Sequence, residues 1–99
     1  MDDQGIDFRT WRLLEPEGLT WRCWDDDYVV FHPWSGMTHC LDATAGTVFE
    51  VLLDRPAAVR DLAAALAAIA ETPDIDGLSA VVWHVLQRFE AVGLAEPVP

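Results

Sequence analysis

Three histidines, two cysteines and a run of three aspartates are the residues of this chain whose types could do chemistry. Histidine and thiolate are the usual zinc ligands, but a structural site wants them in close pairs, as C-x-x-C or H-x-x-x-H. Neither spacing occurs among His32, His39, His84, Cys23 and Cys40. His39 and Cys40 are neighbours in a segment that reads as a strand, so their side chains point to opposite faces and do not share one ion. The same geometry works against a Cys–His nucleophile, and no third residue stands ready to orient the base. Asp25-Asp26-Asp27 carries charge enough for a cation, yet three acids between two strand-like runs have the composition of a solvated turn. Nothing here demands catalysis, a metal or a cofactor. Function has to be sought in the surfaces that the folded elements present.

The composition limits which surfaces those are. Ninety-nine residues, 52% of them apolar, suffice for one domain with a single modest core. That domain is expected to occupy residues 1–99, with its core between about 11 and 96. Acidic residues outnumber basic ones by 17 to 6, a formal net charge of −11, and all six basic residues are arginine. Such a chain repels a phosphate backbone, so no nucleic-acid partner is expected. The acidic surplus favours solubility and suits a basic peptide or protein. No apolar run approaches the roughly 20 residues of a membrane helix, so no membrane partner is expected. The opening MDDQGIDFR is acidic where a secretory signal is basic and then apolar. The expected location is therefore cytoplasmic, where Cys23 and Cys40 remain reduced.

The elements are organised around the stretch from Tyr28 to Leu53. Residues 1–9 read as a weakly docked lead, and residues 11–14 as a short strand stopped by Glu15-Pro16-Glu17-Gly18. Leu19 to Trp24 has the aromatic content of a strand. A three-residue turn at Asp25–Asp27 would set Trp24 opposite Tyr28 and Trp21 opposite Phe31, both favourable cross-strand pairs. Pro33 to Gly36 makes the next turn into Met37–Leu41, with Met37, His39 and Leu41 expected to face inward beside Val29 and Phe31. Asp42 is placed to cap a helix that buries Ala45, Val48, Phe49 and Leu52. Gly46 inside that helix costs about 1 kcal/mol relative to alanine, which points to the close approach of another backbone. A second helix is expected over 58–71, with Val59, Leu62, Ala63, Leu66 and Ile69 on its buried side. A third, over 76–92, repeats Leu78, Val81, Val82, Val85, Leu86, Phe89 and Val92 at helical spacing, with Asp74 and Asp76 at its start and Gly93 at its end. The order predicts an α+β, winged-helix-like domain: a small N-terminal antiparallel sheet of two or three strands, then three helices.

Two surfaces of that arrangement invite partners. The strand Met37–Leu41 is a candidate free edge beside the third helix, the geometry in which a peptide adds as an extra strand. A second copy of the chain, or a covering loop, would use the same edge. Trp83 projects about 140° from the centre of the third helix's apolar stripe, next to Gln87. Trp83 and Gln87 therefore form a candidate contact for a protein partner, unless the N-terminal segment, through Trp11, folds over the ring.

The hairpin closing in SGMTHCLDATAGTVFEVL, then VRDLAAAL, then a helix ending VLQRFEAVGLAE, resembles the PqqD-like proteins over roughly Trp21 to Glu96. These are small winged-helix chaperones that recognise precursor peptides. Gly36-Met37-Thr38-His39-Cys40-Leu41 is similar to the Gly-x-Thr-His-x-Leu segment of the subtype associated with an HPr-kinase-like partner. Ala57-Ala58 departs from the family pattern, standing where a Ser or Thr would cap the second helix. The resemblance implies a non-catalytic domain that takes a leader peptide along Met37, Thr38, His39, Cys40 and Leu41. It implies a wall of Val82, Val85, Leu86 and Phe89, and delivery to a modifying or kinase-like enzyme. The competing readings are an adaptor that meets the kinase-like partner through Trp83 without any peptide, and a winged-helix DNA-binding regulator. The last would have only Arg88 and His84 as cations on its third helix.

Overall fold

The computed structural model describes residues 10–98, so the expected lead at residues 1–9 lies outside the described residues. Strands β2 (Thr20–Trp24), β3 (Asp27–His32) and β4 (Met37–Leu41) form one antiparallel sheet in the order β2–β3–β4. Helices α1 (Ala43–Asp54), α2 (Val59–Ala70) and α3 (Ile75–Ala91) follow, as the periodicity predicts. The chain is thus α+β, with a sheet ahead of three helices.

The first hairpin is tighter than the sequence reading. Asp25 and Asp26 both adopt left-handed backbone, with φ of 47° and 79°, and Asp27 already pairs with Trp24. Two positive φ values make the type I′ turn, whose twist matches that of the strands it joins. The loop is therefore two residues instead of three, and the register moves by one. Trp21 lies opposite Val30 and Cys23 opposite Tyr28, not Trp21 opposite Phe31 and Trp24 opposite Tyr28. The aromatic contacts form differently: Trp21 stacks diagonally on Tyr28 at 5.9 Å and meets Phe49 of α1 edge-on at 5.6 Å.

The second hairpin turns through four residues. The Gly36 amide donates to the His32 carbonyl at 2.9 Å, with Gly36 at a φ of +73°. Met37, His39 and Leu41 do share one face, but their neighbours on it are His32, Val30 and Tyr28. Val29 and Phe31 were expected there and instead lie on the outer face, with Thr38 and Cys40. Leu41 is buried, His39 half-buried, and Met37, at the open end, is 52% exposed.

The sheet is fastened to α1 through Tyr28. Its ring lies where a Cβ on Gly46 would have to be, and its hydroxyl donates to the Glu50 carboxylate. That bond, then burial, then the carboxylate's charge keep the phenol's pKa well above its ordinary value. The space that Gly46 leaves is thus taken by an aromatic ring and not by another backbone. Asp42 accepts from the Ala45 amide at 2.8 Å and fixes the start of α1.

A second sheet was not legible. Strand β1 (Thr10–Leu13) does not join the first sheet but runs between β5 (Ala57–Ala58) and β6 (Ala95–Pro97). Arg12 and Glu96 face one another across β1 and β6 in a salt bridge of 2.6 Å. Strand β6 is delivered by the turn after α3. The Leu94 amide donates to Phe89 O at 2.8 Å and the Gly93 amide to Glu90 O at 3.2 Å, with Gly93 at φ +80°. This is the glycine-terminated helix end that the sequence signals, and it turns Leu94 into the core. Ile69 and Val81, assigned to buried stripes by spacing, are 68% and 41% exposed.

Replacing Gly46 by alanine places a Cβ about 2.0 Å from a Tyr28 ring carbon. The strain outweighs the gain in helix propensity, and Gly46→Ala is expected to cost about 1–3 kcal/mol. Urea denaturation of the two proteins checks this; a variant as stable as the parent would show that the ring does not clamp the helix.

Candidate functional site

Strand β4 is the last strand of its sheet, with β3 on one side and no described strand on the other. Along that free side lies the C-terminal half of α3. The two enclose a cleft of about 220 Å³, lined by Thr38, His39, Cys40 and Leu41 on the strand and by Arg88, Phe89, Val92 and Leu94 opposite. Pockets for small molecules or cofactors run to about 300–1,000 Å³. This one suits a side chain or two from a longer ligand that lies along the edge.

Of the residues assigned to the edge, Thr38, His39, Cys40 and Leu41 line the cleft, while Met37 stands exposed at its end. The predicted wall is largely displaced. Val82, Val85 and Leu86 belong to the buried core, and only Phe89 of that set also lines the cleft. Arg88, Val92 and Leu94 take their place. The reason is visible in the helical projection. The apolar positions of α3 span an arc of about 140°, wider than the roughly 100° stripe one buried face requires. Val82, Leu86 and Phe89 occupy the core half. The other edge of the arc carries Val81 and Val92, beside Arg88, and stays largely in water, with Arg88 and Val92 lining the cleft. The excess width of the arc is the signal that could have separated wall from core.

Of the two arrangements open to Trp83, the structure has the one in which the N-terminal segment folds over the ring through Trp11. Trp83 is half-buried, and Trp11 of β1 meets it edge-to-face at 6.1 Å and 88°. Gln87 remains exposed. The N-terminal strand thus covers much of the surface assigned to a protein partner. Trp24 and Trp34 are exposed, Trp24 on the outer face of the first sheet.

His39 is the electrostatically distinctive group of the cleft. Its Nε2 is buried without a hydrogen-bond partner among the described residues. Burial first, and the charge of nearby His32 second, lower its pKa from the ordinary 6.5. The two rings are 6.2 Å apart, and His32 Nδ1 is 2.9 Å from Ser35 Oγ, which in turn accepts from the Met37 amide at 3.2 Å. Cys23 and Cys40 are free and exposed. Among the described residues no three His, Cys, Asp or Glu side chains gather in a form that could hold a metal ion, and no helix is long and apolar enough to cross a membrane.

No protein-family model matches the chain, and no curated protein matches it in sequence. Solved structures do match in shape. TbiB1, determined in complex with the TbiA(beta) leader peptide, superposes with a TM-score of 0.68 at 19% identity, over 89% of this chain and 98% of that one. The PqqD truncation of Methylobacterium extorquens PqqCD superposes with a TM-score of 0.69 at 21% identity, over 88% of each chain. That domain is described as a functional, stand-alone recognition element for ribosomally synthesized and post-translationally modified peptides. The fold of this chain is therefore the fold of such recognition elements.

Because the unfolded chain binds a proton on His39 more readily than the folded one, stability rises with pH between the folded pKa and 6.5. It is fully present above 6.5 and falls as pH is lowered through that value. Urea midpoints at pH 7.5 and 5.5 are expected to differ more for the parent than for His39→Leu; equal differences would remove His39 as the cause.

Proposed function

We propose that this chain is a non-catalytic peptide-binding domain that takes a precursor or leader peptide as an added strand along β4 and presents it to a modifying enzyme. The observation that carries the reading is the edge of β4 that no described strand covers, with a cleft of mixed polar and apolar lining alongside it. An edge strand supplies main-chain donors and acceptors, and a neighbouring pocket supplies selection of alternate side chains. The shared fold with a protein solved in complex with a leader peptide supports the same reading.

The binding residues on this reading are Thr38, His39, Cys40 and Leu41 on the strand, with Met37 at its entrance, and Arg88, Phe89, Val92 and Leu94 opposite. Val82, Val85 and Leu86 hold α3 in place from behind. Arg88 makes no ion pair with another described residue, so an acidic side chain on the peptide has a partner there. Affinity is moderate, because ordering an extended peptide costs free energy that the contacts must first offset. The partner enzyme is the modifying enzyme of the peptide, kinase-like in the subtype that Gly36–Leu41 resembles, and the setting is the cytoplasm. An adaptor working through Trp83 and Gln87 has less surface to use, since Trp11 covers part of that ring. Pairing of two copies through β4 would compete with the peptide for the same edge.

Adjacent amides on a strand point to opposite sides, so only one of Thr38 and His39 donates outward. Proline at that position removes an edge donor, while proline at the other breaks a bond to β3. Peptide binding to folded Thr38→Pro and His39→Pro variants, followed by NMR shifts over residues 37–41 and 88–94, checks the edge. One variant is expected to lose binding; if both fold and both bind as the parent does, the added-strand reading fails.

A further inference from the structure

A second cleft, of about 250 Å³, opens where the three helices meet. Ala43 and Thr47 of α1, Leu66 and Ile69 of α2, and Leu78 and Val81 of α3 line it. Ile69 and Val81 leave much of their apolar surface in water there. A lone exposed apolar residue on a surface is ordinary, but two that flank a concave apolar site form a place for another apolar group.

The position of this cleft relative to the first one is what gives it meaning. Both are walled by the same side of α3, the first by Arg88 and Val92 and the second by Leu78 and Val81. Val85, between them in sequence, is buried in the core, so the way from one cleft to the other does not follow α3 itself. Across from α3, the chain passes from Leu41 at the end of β4 through Asp42 directly to Ala43 in the second cleft. A ligand laid along β4 and continuing past Leu41 therefore runs over the first turn of α1 into the second cleft.

We infer that the peptide is held at two apolar anchors, one in the β4–α3 cleft and a second between Val81 and Ile69. The inference rests on the function proposed above and specifies the class of peptide it serves. Val81 and Val92 are about 16 Å apart along the helix axis. An extended chain covers about 3.3 Å per residue, so the anchoring side chains stand four or five residues apart in the peptide. Past Leu41 the ligand has no strand to pair with, so strict alternation of side chains applies only to the part that lies on β4. Each cleft has room for a side chain or two, a size that suits a linear peptide better than the broad face of a protein partner.

Display selection of random 14-residue peptides on the intact domain, with isolated binders then measured by fluorescence anisotropy, tests this. Binders are expected to carry two large apolar residues four or five positions apart. Val81→Asp and Ile69→Asp, both at exposed positions, are expected to weaken those peptides about tenfold. The same variants leave unchanged a peptide whose second apolar residue has been replaced by serine. Binders that need the β4 edge but show no such spacing and ignore Val81→Asp and Ile69→Asp overturn the second anchor and leave the proposed function standing. If no selected peptide loses binding to either Thr38→Pro or His39→Pro, the function itself fails and the anchor with it. A shift in oligomeric state on Val81→Asp, with peptide affinity unchanged, assigns the cleft to a second copy and likewise overturns the inference.

Discussion

The seating of Tyr28 on Gly46 is the contact on which the arrangement turns. One side chain ties together three strands and a helix: its residue pairs with Cys23 in β2 and Leu41 in β4, its ring fills the notch in α1, and its hydroxyl reaches Glu50. A glycine in a helix interior is a local loss, and here the loss is offset by an aromatic contact that no alanine would permit. Because this contact fixes β3 over α1, and β4 leads into α1 through only Asp42, the outer strand cannot be tucked beneath the helices. It stays at the margin of the sheet, along α3.

The third helix meets the rest of the domain over only part of its circumference. Val82, Leu86 and Phe89 face the core. Trp83 is met by Trp11, which the β5–β1–β6 sheet holds in place. The side carrying Val81, Arg88 and Val92 is left open, and the two clefts lie along it. The small second sheet thus does more than cover apolar surface. Through Trp11 it also covers part of the Trp83 side of α3, where His84 and Gln87 remain exposed.

Much of this was legible in the sequence, and the exceptions have identifiable causes. Helix starts at Asp42 and Asp74 and the end at Gly93 follow from capping chemistry, which is local and depends on single residues. The free edge of β4 follows from the order of elements. Register did not, because Asp25 and Asp26 tolerate left-handed backbone that three identical acids do not advertise, and one residue of turn length changes every pairing. The pair β5 and β6 was out of reach for a different reason. Two alanines and an Ala-Glu-Pro triplet carry no alternation to read, and they become strands only because Trp11 and its neighbours lie beside them. Val81 and Val92 were placed in the buried stripe because a wide apolar arc was taken for a single buried face. Spacing identifies which residues are apolar together, and only packing decides which of them remain in water.

The free margin of β4 has a consequence for whatever settles on it. A strand that joins an open sheet satisfies one row of backbone groups and exposes another, its own. The sheet does not become closed; its boundary moves outward by one strand and is then written in the ligand's sequence instead of the domain's. On the proposed reading, protection against further pairing passes from the carrier to the cargo. A proline or charged residue in the bound segment would then end the sheet, and a plain β-rich segment would leave it able to grow.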